Sequence, residues 1–259
     1  MTIRLTILGS GSAGNATCVE GNGSRLLLDA GFSCRELGAR LDAVGVRPAE
    51  LDGMVITHEH VDHVRGAALF AKKYDVPIYC TPSTARAAGL DRVDGAALRR
   101  IVPDEPFAVG GLRVNPFPVP HDAVETIGCT IECNGGRVGY ATDFGHPADS
   151  VRRGLAGCDL LILEANHDIA MLQCGPYPEH VKRRVLGRHG HIDNQAAAGL
   201  ASDVVSERTG RIVLAHLSTK NNRPDLALAA VGMRLERNGR RAPGLFAADQ
   251  AGPSPWFEI

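Results

Sequence analysis

No apolar run in this chain approaches the length needed to cross a bilayer, which excludes a membrane-spanning helix. Residues 1–8 alternate like a strand and lack the apolar core and small-residue cleavage site of a secretory signal, so a cytoplasmic location is expected. Cysteine is scattered: there are 7, an odd number with no CxxC pair, which argues against a disulfide framework. Cys129 and Cys133, four apart in a strand-like stretch, read as buried core thiols. The Gly-rich turn at 9–15 is followed by neither GxGxxG nor GK[ST], so it is neither a dinucleotide fingerprint nor a Walker loop, and no organic cofactor is expected. Neither sign of charge dominates. With 28 Lys and Arg against 29 Asp and Glu, a nucleic-acid partner would need a local basic surface rather than a global field. No repeat, low-complexity tract or linker divides the chain, and a single domain over 1–259 is expected.

What is present is an alternation of short apolar runs with helix-length patterns, the mark of the α/β class. Strands are expected at 2–8, 25–28, 54–57, 77–80, 112–119, 127–133, 137–142, 160–163 and 211–215, with a strand-like or irregular tail from 246. Helices are expected at 35–44, 66–73, 83–89, 179–187, 195–205 and 224–237, with Pro82, Pro178 and Pro224 as start signals.

Directly after the apolar run 54–56 comes Thr57-His58-Glu59-His60-Val61-Asp62-His63, three imidazoles and two carboxylates in one short stretch. Four donors at HxHxDH spacing form a metal-ligand pattern. His58 and His60 point the same way if the strand carries on, and Asp62 and His63 can face back toward them past the turn. That arrangement suits two adjacent divalent cations rather than one. Two ions need more donors than this segment holds. His121 follows a proline-rich edge strand, Asp143 ends the strand 137–142, where a carboxylate can bridge two metals, and His216 ends the strand 211–215. One strand-terminal His or Asp is usually a cap or a satisfied polar group. Their recurrence at strand ends is what points to a site.

In this order, THEHVDH, Pro-His121-Asp, Thr-Asp143-Phe-Gly and Ala-His216-Leu-Ser resemble the successive metal motifs of the metallo-β-lactamase fold hydrolases, across nearly the whole chain. The resemblance implies an αββα sandwich. It implies one ion held by His58, His60 and His121, a second held by Asp62, His63 and His216, and Asp143 bridging them. It also implies that Asp29 and Glu164 orient ligands from behind. Such donors suit zinc, manganese or iron. Residues 8–15, 163–168 and 190–194, and Asn221-Asn222 beyond His216, further resemble the YycJ/WalJ group, whose members are similar to 5′-to-3′ DNA exonucleases. Some sequences of this kind are labelled phosphoribosyl cyclic phosphodiesterases.

The expected activity is therefore metal-dependent phosphodiester hydrolysis, with DNA as substrate and a small cyclic phosphodiester as the alternative. A non-catalytic binding module is a third reading, disfavoured because all seven ligand positions are filled. In the expected mechanism a water between the two ions attacks in line, oriented by Asp62. In tRNase Z relatives a histidine precedes the glutamate that matches Glu164. Here that position is Leu163, so His191 and then His167 are the candidates to protonate the leaving oxygen. Lys182, Arg183, Arg184 and Arg188 make a basic patch on an expected helix, fit to contact phosphate. Ser10, Ser12, Asn15, Asn221 and Asn222 are further candidates for substrate contact. The short stretch between His121 and Asp143 leaves no room for a tRNA-gripping arm, and the wide separation of Cys18 from Cys34 speaks against an additional zinc of the kind found in some cyclic phosphodiesterases.

Overall fold

Leu160, Leu161, Ile162, Leu163 and Glu164 are all 0% exposed, because the strand they form has packed layers on both faces. The computed structural model describes residues 2–95, 97–239 and 243–259 and gathers such strands into two seven-stranded sheets. The first contains β1 (Arg4–Gly9), β2 (Ala16–Gly21), β3 (Ser24–Leu28), β4 (Gly53–Val55), β5 (Ile78–Cys80) and β6 (Leu98–Arg100). The second contains β7 (Phe107–Val109), β8 (Leu112–Pro118), β9 (Ile127–Cys133), β10 (Gly136–Ala141), β11 (Leu160–Glu164), β12 (Arg211–Ala215) and β13 (Gly244–Ala247), and β14 (Phe257–Glu258) returns to pair with β1. The orders are β14-β1-β2-β3-β4-β5-β6 and β13-β12-β11-β10-β9-β8-β7. Helices are α1 (Cys34–Ala43), α2 (Val61–Val64), α3 (Ala67–Tyr74), α4 (Pro82–Ala87), α5 (Asp149–Leu155), α6 (Ile169–Cys174), α7 (Glu179–Val185), α8 (Asn194–Val204) and α9 (Pro224–Arg237).

Side chains alternate between layers, as a period of two requires. Leu5, Ile7, Leu26 and Leu28 of the first sheet meet Ile131, Val138, Ile162 and Val213 of the second in a shared core. On the outer face of the second sheet, Leu161, Leu163, Ile212 and Leu214 pack with Val151, Ala197, Val231 and Leu235 from α5, α8 and α9. On the outer face of the first, Leu27, Met54 and Ile78 pack with Leu37, Leu41 and Phe70 from α1 and α3. Helices thus cover both outer faces, giving the αββα sandwich that the motif resemblance implies.

Local chemistry starts the helices where the sequence suggests. Thr81 caps α4 by accepting from Thr84 N with Pro82 in the first turn, Pro224 opens α9, and Asp193 caps α8 by accepting from the amides of Gln195 and Ala196. Several elements differ from expectation, among them the short helices α5 and α6, which fall outside all the expected helical stretches. Strand β2 has no periodic signature of its own and exists because β1 and β3 pair with it on either side. Strands β6 and β7 are three-residue strands at the edges of their sheets, and neither has the run of buried apolar residues that marks an inner strand. The tail is ordered by pairing: β13 lies parallel to β12, and β14 antiparallel to β1.

Strands β3 to β6 run parallel, as do β10 to β13, and β8 is parallel to β10 because both run against β9. The carboxyl ends of β3, β4, β8, β10, β11 and β12 therefore share one rim.

Candidate metal centre

At that rim β4 stops at Val55, and the chain does not continue as a strand through His60, contrary to the simplest reading of the motif. Residues 56–60 are irregular, and His60 is the N-cap of the single-turn helix α2, which carries Asp62 and His63. Backbone amides of Asn15 and Ala30 donate to the carbonyls of Asp62 and His63, at 2.8 Å each, and fasten this turn to the loop before β2 and to the end of β3. Asp29, Asp143 and His216, at or just past the ends of β3, β10 and β12, have φ of 62°, 61° and 55°. Non-glycine residues avoid this left-handed region unless their surroundings hold them there. Three of them at one rim bend the chain so that each side chain aims into the gap between the sheets.

The donors converge in overlapping groups. His58, His60 and His121 form one, Asp62, His63 and His216 another, and His58, His63 and Asp143 join the two; within each, one ligand atom per residue lies within 4.8 Å of the others. His60 Nδ1 and His121 Nε2 face each other at 3.2 Å, and His63 Nε2 is 3.2 Å from Asp143 Oδ2. Asp62 Oδ2 is 3.5 Å from His216 Nε2 and 3.8 Å from His63 Nε2. His58 Nε2, Asp143 Oδ2 and His216 Nε2 are buried without a hydrogen-bond partner among the described residues. Each such atom costs about 1–3 kcal/mol if nothing satisfies it. Imidazole and carboxylate lone pairs converging on one place are what a divalent cation satisfies, so the residues present fit a metal site.

Behind the donors, a second layer fixes their orientation. Asp29 accepts from His63 Nδ1 at 2.8 Å, from the Thr57 amide at 2.8 Å and hydroxyl at 3.0 Å, and from the Tyr140 hydroxyl at 3.2 Å. Thr57 Oγ1 lies 3.0 Å from His58 Nδ1. Glu164 Oε1 accepts from His216 Nδ1 at 2.9 Å and from His191 Nδ1 at 2.7 Å, and His121 Nδ1 donates to the Gly190 carbonyl at 3.2 Å. Asp143, Glu164, His191 and His216 also have ligand-like spacing. The Nδ1 atoms of His191 and His216 both hydrogen-bond Glu164, an arrangement that suits a carboxylate orienting imidazoles from behind.

Burial disfavours charge throughout, and at His58, with His63 beside it, burial prevails and holds the ring's proton affinity well below the ordinary histidine value. At His63 the carboxylates of Asp143 and Asp29 outweigh burial and raise it well above that value. At His216 burial is overcome by Asp143, Asp62 and Glu164, which push it up to about 10. Burial likewise opposes ionisation of Asp143 and Glu164, but neighbouring imidazoles hold Asp143 well below the usual carboxylate range and Glu164 at about 2. The carboxylates stay ionised, as a cation requires.

The other expected site residues divide. Ser10 and Asn15 are buried props of the site: Ser10 Oγ accepts from the His216 amide at 2.8 Å, and Asn15 Nδ2 lies 3.1 Å from His63 Nε2. Ser12 is exposed on the same loop. Asn222 is buried, exchanging amide hydrogen bonds with Asn194 and donating to the Ala165 carbonyl, so its side chain is spent on the fold. Asn221 is buried with Oδ1 unpartnered among the described residues. His191 lies at the site, its ring centroid 5.2 Å from that of His121 and 5.1 Å from that of His216. His167 is 1% exposed, with both ring nitrogens unpartnered among the described residues, and has no open face toward the rim. Lys182 and Arg183 turn back onto Gln173 and Glu179, Arg188 lies against His146, and Arg184 pairs with Asp122. Sequence reasoning missed Asp122, Thr57 and Tyr140. The first two sit inside the Pro-His-Asp and THEHVDH segments, while nothing in the sequence marks the hydroxyl of Tyr140.

The residues at 24–217 match the family model described as the beta-lactamase superfamily domain. The chain is 34% identical over 247 residues to the exodeoxyribonuclease YycJ of Bacillus anthracis, covering 92% of this chain and 91% of that one. It is 32% identical over 228 residues to the exodeoxyribonuclease WalJ of Streptococcus pneumoniae, covering 86% and 85%. Its fold matches the crystal structure of the metallo-beta-lactamase fold protein YhfI from Bacillus subtilis with a TM-score of 0.78 over 100% of both chains, at 18% identity. With this rim of histidines and carboxylates, the chain belongs to the beta-lactamase superfamily and, within it, to the family of YycJ and WalJ.

Proposed function

We propose that this enzyme hydrolyses phosphodiester bonds with the help of two divalent cations, zinc, manganese or iron, and that its substrate is DNA, degraded from 5′ ends. The reading rests above all on two donor groups joined through Asp143 at one rim, in a chain akin over most of its length to proteins named exodeoxyribonucleases. His58, His60 and His121 would hold one ion, Asp62, His63 and His216 the other, with Asp143 between. Bound there, the ions supply Lewis acidity toward a phosphate oxygen and a solvent nucleophile at neutral pH. Asp62, whose side chain is only partly buried beside His63 and His216, would accept a proton from the attacking water. Glu164 holds His191 Nδ1, which leaves Nε2 to donate a proton to the departing 3′ oxygen. Attack in line with that oxygen breaks its bond to phosphorus without a covalent enzyme intermediate.

The test is a side-by-side assay of metal-loaded protein on end-labelled duplex DNA, single-stranded DNA, RNA and a cyclic phosphoribosyl compound. Stepwise loss of nucleotides from 5′ ends of DNA is the expected result. Turnover confined to the cyclic compound overturns the DNA assignment.

A further inference from the structure

Helix α7 has no buried residue, yet it carries Lys182, Arg183 and Arg184 and leads to His191 at the centre. Of these three cations only one reaches across to the donor rim. Lys182 Nζ donates to the Gln173 carbonyl at 2.7 Å and pairs with Glu179, and Arg183 Nε donates to the Glu179 carbonyl at 3.4 Å. Arg184 Nε instead forms a close ion pair with Asp122 Oδ2, while Asp122 Oδ1 lies 3.4 Å from His121 Nε2 and 4.0 Å from His60 Nε2. One carboxylate therefore separates this guanidinium from the donors. The Arg184 side chain is 66% exposed, and neither Nη makes a hydrogen bond among the described residues. A guanidinium anchored through Nε, with both Nη groups turned to solvent, is set for a two-point grip on a phosphate.

We propose that Arg184 is a specificity-determining residue that binds a second phosphate of the substrate, the neighbour of the one hydrolysed, and that Asp122 is the positioning residue that holds it there. This rests on the phosphodiesterase reading above and sharpens it. A compound with a single phosphodiester leaves the arginine idle, whereas a nucleic-acid strand fills it, with either its 5′-terminal phosphate or the next internal one.

Binding is measured by fluorescence anisotropy on the metal-loaded protein, using an oligonucleotide protected by phosphorothioate linkages, in 5′-phosphate and 5′-hydroxyl forms, over a series of salt concentrations. Arg184→Gln weakens binding about tenfold and lowers the log–log salt slope by about one, the signature of one lost phosphate contact. Arg183→Gln, on the same helix but turned away, changes affinity by less than about twofold, as expected of a solvated surface charge. A loss confined to the 5′-phosphorylated strand assigns the terminal phosphate, and an equal loss for both forms assigns the internal one; either supports the proposal. Equal effects of the two substitutions, or none from Arg184→Gln, in a protein whose wild type degrades DNA overturn it alone. A wild type that turns over only the cyclic compound removes the DNA reading and this proposal with it.

Discussion

Asp29 gathers hydrogen bonds from His63, Thr57 and Tyr140 on one buried carboxylate, so a single residue sets the tautomer of His63 and, through the Thr57 hydroxyl, the ring of His58. Asp29→Asn puts an NH2 group where an acceptor is required. It is expected to lower metal affinity by about 10- to 100-fold, as read by competition with a chromogenic chelator on the folded protein. His191→Ala is expected to cut turnover of DNA by about 10²- to 10⁴-fold. It should cost far less on a p-nitrophenyl diester, whose leaving group needs no proton; equal losses on both would remove the proton-donor role. The thiols make a third case. Burial pushes Cys18, Cys80 and Cys158 up to about 12, and Cys174 is the exposed one among the 7. Ellman's reagent should therefore label one thiol in the native protein and all of them after denaturation, since only an accessible thiolate reacts.

Element by element, the metal loop depends on close backbone approach. Gly31, just past β3, lies so near α2 that a Cβ there would sit 1.7 Å from the Asp62 carbonyl oxygen. Gly31→Ala must push that turn away, so it is expected to cost at least about 2 kcal/mol, read as a lower urea midpoint with an unchanged slope, and to reduce the bound metal. The same loop marks where sequence patterns stop being informative. Periodicity reveals α9, whose 14 residues repeat a buried stripe of Ala227, Ala230, Val231 and Leu235, and it reveals β9 and β12, whose ends fall where expected. It cannot reveal α2, a single turn of 4 residues, because one turn contains no repeat. That is why the histidine motif reads as a strand running on when it is a strand end, a bend and a turn.

At the scale of the molecule, each donor group is assembled from both sheets. His58 and His60 follow β4 of the first, while His121 follows β8 of the second; Asp62 and His63 belong to the first side, while His216 follows β12 of the second. A cation held by such a group ties the two sheets together at the rim. Chelation is therefore expected to lower the thermal unfolding midpoint, and returning metal should restore it in a concentration-dependent way, by about 2.7 kcal/mol at a hundredfold excess over Kd. An identical midpoint with and without chelator would count against cation binding at this rim.

The sequence by itself determined the identity and order of the candidate donors, the alternation of strands and helices, and the want of any membrane-spanning run, because these depend on residue type and local spacing. Only the tertiary structure decided which groups meet. Tyr140 reaches Asp29 across 111 positions and Arg184 reaches Asp122 across 62. Distances of that kind are set by how strands pair and where loops close, and no local period carries them. Spacing could mark a cluster of basic residues near the C-terminal motifs; it took the tertiary packing to pair Arg184 with Asp122 at the rim while Lys182 and Arg183 turn back onto Gln173 and Glu179.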